Sequence, residues 1–336
     1  MIMKEFSYSE LTMMLCEFNI NIFRYDAYVR SVVFKHLDQV QKDLIARIMI
    51  DDLGSISKRD IQRLVRDIKT IITDEYERIL VYLSETNQQF YIASHHIEAQ
   101  IYNTWLGAKV FSYLPNYKLD AIRYAPLFEG RDIKDWWIKQ SEDLKFKVES
   151  IIRNGNVLAE TPQAISKQIR DQINIVKRHA DSIVRTANAA IANDALERLI
   201  DHNTDLISAK QHISTLDGNT SDVCKARDLK KWTVDNRPIG HKMPFRKPPL
   251  HFRCRSIIRL LLQDQVVSTR ASQFGQVNEQ IDYSSWLKTQ TQEYQISVLG
   301  EQKAKWFREG KLTIGMMLDQ NDRPLTIKQL KKIYNL

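Results

Sequence analysis

The chain has 336 residues and a mass of 39.4 kDa, of which 43% are hydrophobic, so it builds real cores across two or three domains and is not disordered throughout. Only 10 glycines and 8 prolines occur, which favours long helices over a sandwich, a barrel or a low-complexity chain. The 49 Lys and Arg outnumber the 41 acids for a net charge of +8, a mild excess that suits a nucleic-acid partner but is shared by many ordinary soluble proteins.

No stretch approaches the roughly 20 consecutive apolar residues of a membrane span. Glu5 and Glu10 stand where a signal peptide needs an apolar run, so export is not expected. Three cysteines, Cys16, Cys224 and Cys254, are too few for a disulfide scaffold and fit a reducing compartment.

Taken in chain order, residues 1–135 are expected to form an N-terminal helical domain, a candidate for docking to other proteins. Ser57 caps a helix with Asp60 in its first turn, and Ile61, Leu64, Ile68 and Ile71 recur three and four apart. Breaks are predicted near Asp52–Gly54, at Pro115 and at Pro126–Gly130. His95 and His96 are adjacent, point to different helix faces and make poor partners for one metal ion.

Residues 136–204 predict long amphipathic helices. Thr161 is the N-cap and Pro162 the first helical residue, where its missing N–H costs nothing. Ile165, Ile169, Ile173, Val176, Ala180, Ile183, Ala187, Ile191 and Leu199 continue one stripe, more naturally a core face than a partner groove. Residues 205–275 change texture into a compact, loop-rich α/β module. Pro238, Pro244, Pro248 and Pro249 crowd its centre, with β-leaning LISAKQHIST before and RSIIRLLL after. Residues 276–336 return to helix, and Thr326 with Gln329 forms a capping-box pattern beside the staple pair Leu325 and Leu330. The expected fold class is α+β, predominantly α-helical.

Chemistry concentrates in the module. Cys224, His251 and Cys254 are zinc-compatible ligands, with Asp217 or His241 as a fourth, and His-x-x-Cys is a tetrahedral half-site. The other half is a lone cysteine, because Ser221 stands where a Cys-x-x-Cys knuckle needs a thiol. The expectation is therefore no metal and no cofactor, with two buried thiols and His251 as a loop anchor. Cys254 with His251 lacks an oriented third group for a cysteine enzyme. Asp217, Asp222, Asp228 and Asp235 lack the tight pairing of a divalent-metal nuclease. From Gly240 to Arg259 there are six cations (Lys242, Arg246, Lys247, Arg253, Arg255 and Arg259) and no acid, interleaved with Phe245, His251 and Phe252. Such a loop neutralises phosphates without reading bases, or serves as a solvated or protein-docking surface.

These segments together resemble the phage Mu F-like minor head proteins, the phage head morphogenesis family. The resemblance rests on VRTANAAIANDA with Arg185, Thr186, Asn188 and Asn193, and on STLDGNTSDVC with Thr215, Asp217, Thr220 and Cys224. PPLHFRCRS and STRASQFGQV with Thr269, Arg270, Ala271, Ser272 and Gly275 continue it, as do the C-terminal segments YSSWLKTQTQEYQISVLGEQKAKWFREGKL and DQNDRPLTIKQL. It spans about residues 140–336. ARDLKKW departs from the family, which often has a glycine-bearing turn there.

The resemblance implies a non-enzymatic, low-copy virion protein of the capsid interior, at the portal vertex, assembled in the host cytoplasm. Its implied partners are the portal protein, the major capsid or scaffolding protein, and double-stranded DNA without sequence preference. Arg185, Thr186, Asn188, Asp217, Thr220, Cys224, His251 and Cys254 then hold the structure, while Lys242, Arg246, Lys247 and Arg259 are the cations left for phosphates. Arg253 and Arg255 serve either purpose. Two alternatives are a metal- or Cys/His-dependent nuclease or other nucleic-acid enzyme, and a DNA-binding regulator outside the particle.

Overall fold

The computed structural model describes residues 8–50, 57–121, 127–128, 130–262, 269–278 and 280–336. It is 66% helical, with ten α-helices and a small four-stranded antiparallel sheet among the described residues, the predominantly helical α+β class that the sequence predicts. Two compact units divide the chain. The first takes Asn21–Ala93 and Asn116–Asp194, and the second takes Met1–Ile20, Ser94–Pro115 and Ala195–Leu336.

The first unit is built from long helices. Helix α1 (Tyr8–Ile48) buries Ile22, Val29, Val33, Leu37, Val40, Leu44 and Ile48 along one stripe. Helix α2 (Lys58–Leu106) starts as expected, the Asp60 N–H donating to Ser57 Oγ at 3.2 Å. Its face buries Ile61, Leu64 and Ile68, but Ile72 rather than Ile71 takes the next fully buried place, because 3.6 residues per turn carries the stripe onward. Pro115 separates α2 from the short α3 (Asn116–Ala121). The break expected near Asp52–Gly54 and the Pro126 end of the third one lie outside the described residues.

A two-stranded ladder, β1 (Leu127–Phe128) and β2 (Arg131–Asp132), leads into α4 (Ile133–Val157), where the Asp132 side chain accepts from the Lys134 N–H at 2.8 Å. Helix α5 (Pro162–His202) is one continuous helix of 41 residues. The Ala164 N–H donates to Thr161 Oγ1 at 3.2 Å, and every member of the predicted stripe from Ile165 to Leu199 is buried.

The second unit carries the sheet, in the order β5-β4-β3-β6. Its central strand β3 (Ile207–Ile213) pairs with β4 (Lys231–Trp232) on one side and β6 (Ile257–Leu262) on the other, and β5 (Pro238–Ile239) closes the edge. Helix α6 (Asp222–Arg227) sits between β3 and β4 in the chain. A hairpin, β7 (Thr269–Ser272) and β8 (Gly275–Asn278), follows. Then come α7 (Tyr283–Lys288), α8 (Gln292–Leu299), α9 (Glu301–Arg308) and α10 (Ile327–Tyr334). These C-terminal helices bury Trp286, Trp306, Phe307, Met317, Leu325 and Leu330 in one core with Leu216. The capping box of Thr326 and Gln329 is formed.

Candidate nucleic-acid interface and the Cys/His cluster

Edge-to-centre pairing of β3 and β6 brings the ends of two loops together: the one after Ile213 and the one before Ile257. The first loop is organised by Asp217. Its Oδ1 accepts from the Asn219 N–H at 3.0 Å, and Thr220 Oγ1 lies 3.0 Å from the same oxygen and 2.6 Å from the Thr215 carbonyl. Arg255 from the second loop then grips both carboxylate oxygens, at 2.7 and 2.9 Å. Partial burial pushes the Asp217 carboxyl up, but Arg255, Thr220 and the Asn219 N–H together outweigh it and leave the group below its ordinary value. Asp217, Thr220 and Arg255 are thus spent on each other, the bidentate fork being the strong form of this pair.

Beside this clamp, Cys224 on α6 meets the second loop. Its Sγ lies 3.3 Å from His251 Nε2 and 3.7 Å from Cys254 Sγ. Both thiols are buried, with Leu250 packed against them. His251 and Cys254 are juxtaposed by a turn that the Cys254 N–H closes onto the His251 carbonyl at 3.2 Å, with Arg253 at φ 60°. His251 Nδ1 donates to the Phe252 carbonyl at 2.8 Å, which leaves Nε2 facing the sulfurs. Hydrogen bonding from Cys224 and from His251 holds the Cys254 thiol well below its usual range, and hydrogen bonding to Cys254 together with burial pushes Cys224 up.

Among the described residues these three are the His, Cys, Asp or Glu side chains grouped closely enough for one ion, their ligand atoms all within 4.8 Å of one another. The two candidates for a fourth ligand are employed elsewhere. Asp217 is bound by Arg255, and His241 donates from Nε2 to the Lys231 carbonyl at 2.9 Å while its Nδ1 accepts from the Met243 N–H at 3.1 Å. A cavity of about 20 Å³ adjoins the cluster, lined by Thr220, Ser221, Arg253, Arg255 and Ser256 among others.

The predicted phosphate-facing cations divide. Lys242, Arg246, Lys247 and Arg253 are exposed. Arg246 also donates to Asp322 Oδ2 at 2.8 Å. Arg259 corrects the expectation: it is 3% exposed, donates to Thr12 Oγ1 at 2.7 Å and Gln211 Oε1 at 2.6 Å, and stacks on Tyr8. It lies on the core face of β6, where desolvating the guanidinium is offset by hydrogen bonds and a ring, so it belongs to the interior and not to a DNA-facing surface.

Other motif residues fall in the first unit. Arg185 Nε donates to Asp181 Oδ1 at 2.9 Å, Thr186 Oγ1 donates to the Ser182 carbonyl at 2.8 Å, and Asn188 Nδ2 donates to Asp26 Oδ1 at 2.7 Å. Sequence reasoning missed the partners that complete the second unit. Arg270 donates to both oxygens of the fully buried Asp228 at 2.8 and 3.0 Å and to the Ser214 carbonyl at 2.6 Å. Arg227, also fully buried, forks onto Asp322 at 3.0 and 2.7 Å. Of the carboxylates weighed for a nuclease, Asp217, Asp222 and Asp228 each hold a cation of this chain.

Comparison with known proteins returns one family. Residues 146–259 match the model described as Phage Mu protein F like protein, a stretch that runs from inside α4 through α5 and the module to Arg259. No curated protein and no solved structure matches the chain. Among the described residues no helix is long and apolar enough to cross a membrane.

Proposed function

We propose, from the match of residues 146–259 to the model described as Phage Mu protein F like protein, that the chain is a phage head morphogenesis protein: a low-copy component of the capsid interior, bound at or near the portal, that assists head assembly and handles packaged DNA through a non-specific basic surface. The observation that carries this reading is how the module divides its charges. Asp217 pairs with Arg255 and Asp228 with Arg270 inside the module, and Lys242, Lys247 and Arg253 are exposed residues of the 240–259 loop. A framework of satisfied pairs carrying exposed cations suits backbone contact with DNA better than turnover of a substrate. The long helical faces of the first unit are the surfaces offered to protein partners.

The test is quantitative mass spectrometry on purified particles of the phage that encodes the chain. A few copies per head, kept in heads that lack DNA, supports the portal-associated role. Absence from full and empty heads alike overturns it.

A further inference from the structure

We infer that Cys224 Sγ, Cys254 Sγ and His251 Nε2 are three ligands of one tetrahedral Zn²⁺, whose fourth position opens into the small cavity beside Ser221 and Arg255. The separations carry the inference. With Zn–S of about 2.3 Å and Zn–N of about 2.0–2.1 Å, tetrahedral angles place two sulfurs about 3.8 Å apart and a sulfur about 3.5 Å from the nitrogen. The chain holds its sulfurs 3.7 Å apart and Cys224 Sγ 3.3 Å from His251 Nε2. These match two edges of a zinc tetrahedron, formed by ligands 27 and 30 residues apart in the chain, and all three ligand atoms lie within 4.8 Å of one another.

Three further features suit the ion. The His251 Nδ1–H is anchored on the Phe252 carbonyl at 2.8 Å, the backbone orienting contact that metal-bound histidines use to present the other nitrogen. Two thiolates and a neutral imidazole balance the charge of Zn²⁺, so the buried site is electrically neutral. The adjoining cavity of about 20 Å³ exceeds the roughly 10–15 Å³ that one water occupies, so a solvent oxygen completes the shell. Ser221 Oγ, buried and without a hydrogen-bond partner, lines that cavity. The ion ties α6 to the 251–254 turn.

The experiment uses the full chain purified without chelator, with metal measured by plasma mass spectrometry, and Co²⁺ exchanged into the protein for spectroscopy. The expected result is about one zinc per chain, and with Co²⁺ the intense visible bands of a tetrahedral ion plus sulfur charge-transfer absorption. Cys254→Ser halves the charge-transfer band, and His251→Ala abolishes stoichiometric zinc. His251→Cys, which keeps a ligand, retains the metal and strengthens that band, so loss in His251→Ala is distinguished from misfolding. Zinc below about 0.2 per chain overturns the site. A chain two hydrogens lighter, with Cys224 and Cys254 joined as a disulfide and no metal, overturns it equally, as does zinc retained in the Cys224→Ser/Cys254→Ser double variant.

Discussion

Asn188 donates its side-chain amide to Asp26 Oδ1 at 2.7 Å, joining positions 162 residues apart at a place where the stripe of α1 demands an apolar side chain. Asp26 is 2% exposed and its Oδ2 has no partner. Arg30 and Arg185 are both bound to Asp181. Burial therefore dominates and pushes the Asp26 carboxyl up from 3.8 to about 7. Between about pH 4 and pH 7 the unfolded chain releases this proton while the folded chain keeps it, so stability falls as pH rises through that window and is level above it. Asp26→Asn removes the penalty. Urea unfolding is expected to show a gain of roughly 1–3 kcal/mol at pH 8 and none at pH 4.

His212 produces the opposite slope in the other unit. Its ring is fully buried, neither nitrogen is hydrogen-bonded, and burial lowers its pKa from 6.5 to about 4. The folded chain resists protonation, so its contribution to stability is complete above pH 6.5 and is lost as the pH falls toward 4. Replacing His212 with Phe keeps a ring in the core of β3 and is expected to flatten the acid limb of the stability curve. An unchanged limb refutes the assignment. Because the Asp26 and His212 windows overlap with opposite signs, only single variants separate them.

The buried Asp228–Arg270 pair is expected to behave as a unit. Arg270→Met strands a carboxylate with no solvent access and costs about 3–5 kcal/mol in denaturant unfolding. Adding Asp228→Asn is expected to recover part of the loss, so that the double variant is less damaged than the sum of the two single changes.

For DNA, a triple change of Lys242, Lys247 and Arg253 to Gln is expected to weaken retention of duplex DNA on a filter. It also lowers the log–log salt slope by up to about 0.9 for each phosphate contact removed. Circular dichroism of the triple variant is expected to match that of the parent chain, so that lost binding is told apart from misfolding. Arg259→Gln gives the contrasting result: it loses the bonds to Thr12 and Gln211 and lowers the unfolding midpoint. A triple variant that binds as well as the parent chain removes the loop from the interface.

What was legible in the sequence was local. The Thr161 cap with Pro162, the Thr326–Gln329 capping box and the stripe from Ile165 to Leu199 depend on residues within a turn or two of each other, so spacing alone reveals them. The long-range pairs were not legible. Asp228 meets Arg270 across 42 residues, and Asp322 meets Arg227 across 95, with no marker in either segment to name the partner. Arg259 is instructive because its neighbours in the chain are those of a basic loop, while its strand register turns it inward. The Cys/His grouping was visible as a half-site, but the missing second knuckle cysteine argued against a metal. Only the fold shows that a lone Cys224 reaches both residues of the His251–Cys254 turn.

Asp322, held at φ 62° in the turn before α10, accepts from Arg227 and from Arg246 together. One carboxylate near the C-terminal helix thus sets the effective charge of a loop 76 residues earlier. A premature stop anywhere before it would leave the buried Arg227 guanidinium without a counter-ion and release Arg246 as an additional cation. Shortened chains would therefore be expected both to fold poorly and to cling to nucleic acid, which makes the far end of the sequence a quality check on the module that precedes it.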